Sequence, residues 1–198
     1  MIDYSETLRR IYAGDFDQMP EEDKKRAVDE LVTACSLAAA AVALQPIPLV
    51  DLPLIMAIQL AMVQGIALVR GYHLDKKSVY EVYRTLRTSF LTHQAAIVAA
   101  KLVPTFGWAV SASAAYALTF AFGEVADKYF RAGRKLAPTE LRELFKRVYK
   151  EKRRDKRSAL RRDPNLPREL AKVERARQRG EFNDEQVAQR REALLRRV

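Results

Sequence analysis

The side chains that could act as nucleophiles, general bases or metal ligands are few and lie far apart in the sequence. The chain has a single cysteine, Cys35, and two histidines, His73 and His93. A Cys–His pair needs a third group that orients the histidine, and the sequence shows no such pattern. The HExxH, CxxC, EF-hand, phosphate-loop and dinucleotide-binding motifs are also missing from the sequence. We therefore predict that the protein is not an enzyme, with no catalytic residue, no metal site and no cofactor.

One carboxylate stands out because of its surroundings. Asp51 lies in the stretch QPIPLVDLPLI and is the only charged residue from 31 to 69. An aspartate directly before an apolar run can cap a helix, and Pro53 fits the first turn because that turn leaves N–H groups unbonded. The functional alternative is a buried polar contact of Asp51 with Lys101 or His93.

Two stretches of the chain are almost wholly apolar, and prolines interrupt both. They run from about 31 to 69 and from 91 to 122. Helices that are apolar on all sides are buried in protein or in lipid. The fold class is therefore all-α: a helical bundle built on two apolar helical hairpins, followed by a basic helical tail. The residues predicted to form the turns are Pro46, Pro48, Asp51 and Pro53 in the first hairpin and Lys101, Pro104 and Gly107 in the second.

The environment of these hairpins has two readings. A transmembrane helix needs about 20 apolar residues, and the prolines cut the first stretch into shorter pieces. In one reading the hairpins insert in a bilayer, fully or re-entrantly, with the basic tail on the anionic cytoplasmic face. In the other reading amphipathic helices or other copies of the chain bury the hairpins, and no lipid is involved.

All of the excess positive charge lies in the last third of the chain. Residues 131–198 hold 23 Lys and Arg against 11 Asp and Glu, whereas residues 1–130 hold 12 against 14. Such a surplus either stays solvated or faces acidic protein, phospholipid headgroups or nucleic acid. From Lys150 onwards the only aromatic residue is Phe182, which argues against nucleic acid and favours an anionic membrane surface. The candidate anionic-surface residues are Lys150, Lys152, Arg153, Arg154, Lys156, Arg157, Arg161 and Arg162.

Residues from about 29 to 130 resemble the bacterial family called domain of unknown function 697. The resemblance rests on an alanine-rich helix, on the segment PIPLVDLPLIMAIQLAMVQGIALVRGY, and on the later turn with Lys101, Pro104 and Gly107. Members of that family are commonly described as membrane proteins, and their domain often adjoins a small GTPase domain. Since this chain has no phosphate-binding loop, the resemblance implies a small GTPase as a separate partner.

The segment LAKVERARQRGEFNDEQVAQRREALL, from 170 to 195, resembles a short C-terminal helical hairpin called SHOCT. Gly180 suits the end of its first helix, and Asn183 with Gln186 predicts a capping box at the start of the second. That module is appended to diverse bacterial proteins and is associated with oligomerisation or protein contacts. The resemblance implies a homo-oligomer, with the candidate protein-contact residues Gly180, Phe182, Val187, Leu194 and Leu195.

These patterns divide the chain into four segments. They are an N-terminal amphipathic segment (1–28), an apolar helical-hairpin domain (29–133), a basic helix and linker (134–165) and a SHOCT-like hairpin (166–198). The basic run from 151 to 167 is predicted as a linker or fraying helix, because turn residues end it.

The expected function is that of a non-enzymatic, membrane-associated adaptor or anchor. Its expected location is the cytoplasmic side of the bacterial inner membrane, where it works with a separate small GTPase. The alternative is a soluble, cytoplasmic, oligomeric helical scaffold whose basic tail contacts anionic lipid or nucleic acid.

Overall fold

A computed structural model of the chain describes residues 4–44, 51–73 and 107–196. All regular secondary structure in these ranges is helical, which confirms the all-α class. The helices are α1 (Tyr4–Ala13), α2 (Glu21–Ala43), α3 (Asp51–Val69), α4 (Gly107–Arg131), α5 (Pro138–Arg162), α6 (Leu166–Gln178) and α7 (Asp184–Arg196). The predictions for Pro46, Pro48, His93, Lys101 and Pro104 fall outside the described residues.

α2 lies at the centre of the bundle and runs antiparallel to both α3 and α4. Its first residue, Glu21, accepts a hydrogen bond of 2.8 Å from Arg70, which directly follows α3. Near its other end the carbonyl of Ala43 accepts a bond of 3.4 Å from Ser111, in the first turns of α4. α2 and α3 thus form the first predicted hairpin, whereas the arm preceding α4 lies outside the described residues.

The start of α3 agrees with the sequence pattern. α3 begins at Asp51, and Pro53 occupies its first turn. The side chain of Asp51 lies outside the described residues, so both its capping role and its contact with Lys101 or His93 stay predictions. α4 begins at Gly107, the last of the predicted turn residues.

α3 and α4 lie side by side and run in the same direction. The amide of Gln59 in α3 donates to the hydroxyl of Thr119 in α4 at 3.0 Å, and the Tyr72 hydroxyl donates to the carbonyl of Phe130 at 3.2 Å. Gln59 and Thr119 are both buried. Their hydrogen bond therefore satisfies two polar groups inside an apolar core, where an unbonded group would be costly.

The close packing of α2 against α3 and α4 depends on small residues. α2 contributes Cys35 and several buried alanines to the contact. In α3, a Cβ added at Gly65 would lie 2.8 Å from Leu31 Cδ2. In α4, a Cβ at Gly123 would lie only 2.5 Å from Val32 Cγ2. Each glycine therefore sits where a neighbouring helix leaves no space for a side chain.

A buried arginine joins the three central helices at one end of the bundle. The side chain of Arg70 is 4% exposed and donates through Nε to Asp127 in α4 at 2.6 Å. Through Nη1 it also donates to Glu21, at 2.8 Å. The Asp127 side chain is 15% exposed and that of Glu21 is 71% exposed. The contact with Asp127 is thus the shielded one.

α5 is helical through Arg162 and packs along α4 in the antiparallel direction. The sequence pattern predicted a linker or fraying helix from 151 onwards, so the helix is longer than expected. Its first half buries Leu141, Phe145 and Tyr149 in the main core. Its second half has no row of buried apolar side chains. Two of its lysines instead pack against aromatic rings of α4, and these contacts explain why the helix continues.

α6 and α7 form the predicted helical hairpin. Gly180 has a φ of +74°, a left-handed conformation that glycine adopts without strain, just after α6 ends. Asn183 and Gln186 form the predicted capping box, with bonds of 3.0 and 2.8 Å. The hairpin packs on the second half of α2 and buries a second apolar cluster, made of Leu37, Ala40, Ala41, Ala112, Leu166, Val173, Val187, Leu194 and Leu195.

We expect Gly123→Ala to destabilise the fold by about 1–3 kcal/mol, because its new methyl group would meet the stiff side chain of Val32. Urea unfolding followed by circular dichroism measures the effect. The double variant with Val32→Ala supplies the control, since it makes space for that methyl. Its cost should be smaller than the sum of the two single costs, and strict additivity would contradict the packing account.

We expect Asp127→Asn to lower the free energy of unfolding by about 3 kcal/mol or more, because it leaves the buried Arg70 guanidinium without its shielded counter-charge. Glu21→Gln is the matched control, since it removes a carboxylate from the same arginine at an exposed position. It should cost about 1 kcal/mol or less. Equal costs in urea unfolding would show that burial of the pair is not what matters.

Candidate anionic-surface interface

The outer face of α5 carries the densest positive charge among the described residues. From 146 to 162 the sequence holds ten Lys and Arg but only two acidic residues. Helical periodicity places Lys150, Arg153, Arg154 and Arg157 on one side of the helix. Lys150, Arg154 and Arg157 are exposed, and Arg153 is half-buried. We call these four residues the basic face.

The inner side of α5 fixes the orientation of the basic face. Phe145 and Tyr149 are buried, and their rings stack with centroids 6.0 Å apart. The guanidinium of Arg153 lies 5.8 Å from the centroid of the Tyr149 ring. Burial raises the pKa of the Tyr149 hydroxyl, which therefore stays uncharged beside the arginine. The basic face is consequently held by the core and does not depend on a free tail.

The basic face also borders a shallow depression in the surface. The hydroxyl-bearing residues Tyr149 and Ser158 line it together with Arg162 and the four residues of the basic face. Basic side chains next to hydroxyl groups are the donors that suit the oxygens of a phosphate group. Of the two hydroxyl groups in the lining, that of Ser158 is exposed and that of Tyr149 is buried, so the depression gathers basic side chains around one accessible hydroxyl.

Two of the predicted anionic-surface residues point elsewhere. Lys152 Nζ lies 4.5 Å from the centroid of the Phe120 ring, and Lys156 Nζ lies 4.8 Å from that of Tyr116. Lys156 also donates to the carbonyl of Leu195 in α7, at 2.6 Å. Burial lowers the pKa of Lys156 to about 8. Both lysines are half-buried and hold α5 against its neighbours, so neither belongs to the basic face.

The remaining predicted residues lie at the end of α5 or pair on its surface. Arg162 is exposed in the last turn, and the side chain of Arg161 lies outside the described residues. Arg154 pairs with Asp155 at 3.2 Å, with both side chains more than half exposed. A surface pair of this kind contributes little energy, so Arg154 can exchange Asp155 for an external anion.

The candidate protein-contact residues of the C-terminal hairpin contact the chain itself. Val187, Leu194 and Leu195 are buried against α2. Phe182 is half-buried, with the Arg190 guanidinium 3.9 Å from the centroid of its ring. Gly180 shapes the turn and is exposed. The apolar surface predicted to recruit a partner is thus already covered in this structure.

The residues considered for chemistry are not assembled into a site within the described ranges. Cys35 is fully buried in α2, and burial raises the pKa of its thiol, which disfavours the reactive thiolate. His73 is exposed, and His93 lies outside the described residues. Across the described ranges no group of three or more His, Cys, Asp or Glu side chains could hold a metal ion. Nor does any helix there have the length and apolar character needed to cross a membrane.

These features define the class of protein: an all-α helical bundle in which one long helix exposes a basic face. The family follows from the sequence match. A family model described as domain of unknown function (DUF697) matches residues 13–154, and the chain belongs to this family. The match is longer than the segment that carried the resemblance and includes most of α5. No curated protein and no solved structure matches the chain.

We expect the stability that Lys156 confers to increase with pH. Its ordinary pKa is 10.5, whereas burial lowers the folded value to about 8. Between these values the unfolded chain binds more protons than the folded chain, so rising pH favours folding at this residue. The unfolding free energy of the wild type relative to Lys156→Met should therefore rise as the pH increases from about 8 to 10.5. A difference that stays flat or falls in urea titrations would contradict the burial of a charged lysine.

Proposed function

We propose that the protein is a non-enzymatic adaptor that binds the anionic surface of a membrane through the basic face of α5. One observation carries this proposal. Lys150, Arg153, Arg154 and Arg157 form a continuous positive surface on a helix whose opposite side is packed in the core. The backbone of such a surface is already ordered before binding, so only the side chains lose conformational entropy on association.

The size of the electrostatic effect is adequate for reversible binding. A basic residue near an anionic bilayer contributes about 1 kcal/mol, and this falls off within a Debye length of about 8 Å at physiological salt. The four residues together supply about 4 kcal/mol by the same estimate. Such binding strengthens with the fraction of anionic lipid and weakens with salt.

The apolar helices support peripheral binding more than insertion. The large apolar side chains Leu31, Ile55, Met62, Leu118 and Phe122 are fully buried within the chain. Side chains that already contact protein on all sides have nothing to gain from lipid. We therefore place the proposed membrane contact on α5 and leave α2, α3 and α4 inside the bundle.

Lipid is a better partner for the basic face than nucleic acid. Proteins that bind single-stranded nucleic acid combine positive charge with exposed aromatic rings on which bases stack. Among the described residues, the aromatic ring beside the basic face is that of Tyr149, which is buried and stacked on Phe145. The basic face therefore offers charge without a stacking platform.

The family resemblance adds two further elements to the proposal. The first is a small GTPase, a separate protein that the adaptor would recruit to the membrane. The second is self-association, which would strengthen membrane binding because several weak contacts act together. The cytoplasmic side of the bacterial inner membrane is the anionic surface that such an arrangement requires. Both the GTPase and the oligomer rest on resemblance alone.

Binding to lipid vesicles tests the proposal. The full chain is sedimented with vesicles of phosphatidylcholine alone and with vesicles that also contain phosphatidylglycerol. We expect binding only to the anionic vesicles. The variant with Lys150, Arg153, Arg154 and Arg157 all changed to Gln should bind about 100-fold to 1,000-fold more weakly, since it loses about 1 kcal/mol per residue.

A matched control removes the same charge elsewhere. Arg9, Lys128, Arg168 and Lys172 are exposed and lie on α1, α4 and α6. Changing these four to Gln should leave most of the vesicle binding intact. An equal loss of vesicle binding in both variants would show that net charge, and not the basic face, causes binding. Binding of the chain to RNA but not to vesicles would contradict the membrane proposal and indicate that the basic face binds nucleic acid.

A further inference from the structure

A cavity of about 430 Å³ separates α7 from the apolar side of α2 and α3. The α2–α3 side of this cavity consists of aliphatic side chains, those of Ala38, Ala41, Val42, Leu54, Ala57 and Ile58. Packed protein interiors leave few voids larger than a water molecule. A space of this size falls in the range of about 300–1,000 Å³ that small-molecule sites occupy.

The cavity leaves aliphatic surface uncovered. Leu54 is 48% exposed although it directly precedes Ile55 of the main core, and Ala57 is exposed as well. The alanine side chains of α2 and α3 are short, so they leave space between these helices and α7. We call this aliphatic surface of α2 and α3 the floor of the cavity. A ligand that buries the floor gains about 25 cal/mol for each Å² of apolar surface removed from water.

The arginines of the opposite wall are already neutralised. Arg191 is buried and pairs with Glu174 at 2.6 Å, with its side chain 6% exposed. Arg177 pairs with Glu174 at 3.3 Å and with Asp184 at 3.4 Å. Glu185 is an additional exposed carboxylate on this wall. Among the described residues that line the cavity, an anionic group would therefore meet no free cation and would face an extra negative charge.

α1 closes one side of the cavity with Tyr4. Tyr4 packs against the main core and is half-buried. Burial raises the pKa of its hydroxyl, so the group stays uncharged. The lining of the cavity thus combines an aliphatic floor with uncharged polar side chains, those of Tyr4, Ser5 and Gln189.

We propose that this cavity is a binding site for an aliphatic chain that ends in an uncharged polar group, such as a long-chain alcohol or an acyl ester. The site is separate from the basic face of α5 and uses none of its residues. It lies between the family-matched helices and the C-terminal hairpin, so it exists only where the hairpin is docked.

Two probes of equal chain length test the chemistry. Isothermal titration of the full chain with 1-decanol should show saturable binding, because the alcohol buries its chain and keeps an uncharged end. Decanoate should bind at least tenfold more weakly, since its carboxylate finds no free cation and faces Glu185. Equal binding of the two would overturn the predicted preference, and no saturable binding of decanol would overturn the site.

Filling the cavity tests its location. Ala57→Phe from α3 and Ala188→Phe from α7 introduce rings from opposite walls, and both positions are exposed, so we expect each variant to fold. Each should weaken decanol binding at least tenfold. Ala171→Phe, at an exposed position of α6 away from the cavity, is the matched control and should bind normally. Decanol binding that survives both filling changes would overturn the assignment. A filling variant that is more stable than a wild type that binds no decanol would identify the cavity as a packing defect.

Discussion

The close approach of α2 to α3 and α4 is the constraint on which the rest of the structure depends. Leu31 and Val32 of α2 lie directly against Gly65 of α3 and Gly123 of α4, where no side chain fits. This contact joins three largely apolar helices into a shared core. It also leaves the outer side of α4 for α5 and the second half of α2 for the C-terminal hairpin.

The two sides of α5 connect this core to the proposed function. Its inner side is apolar at first and then uses Lys152 and Lys156 against the rings of Phe120 and Tyr116. Its outer side keeps its positive charge in solvent. The same helix is thus a structural element and a charged surface, and the core sets the direction in which the charge faces.

The sequence predicts local structure here better than contacts between distant segments. The first apolar hairpin, the left-handed glycine at 180 and the capping box of Asn183 and Gln186 follow from patterns within a few residues, and all three are present. The Arg70–Asp127 pair joins residues that are far apart in the chain, so no local pattern indicates it.

The division of the basic run could not be predicted for a similar reason. A run of lysines and arginines has no apolar stripe to mark its inner side, and the rings that select Lys152 and Lys156 belong to α4. The packing of α7 on α2 could not be predicted from the sequence either. Apolar residues such as Leu194 and Leu195 can be buried equally well by a partner protein or by the chain's own α2. Among the candidate anionic-surface residues, Lys152 and Lys156 contact α4 and α7 and are not part of the basic face.

The reactivity of Cys35 tests the central claim, that the apolar helices form a protein core, most directly. Cys35 is the single thiol of the chain and is fully buried in α2. Protein prepared without detergent is treated with a maleimide across a urea series, and labelling is compared with unfolding measured by circular dichroism. We predict protection in buffer and labelling with the same urea midpoint as unfolding. Rapid labelling in buffer, or a chain that folds only in detergent, would contradict the account.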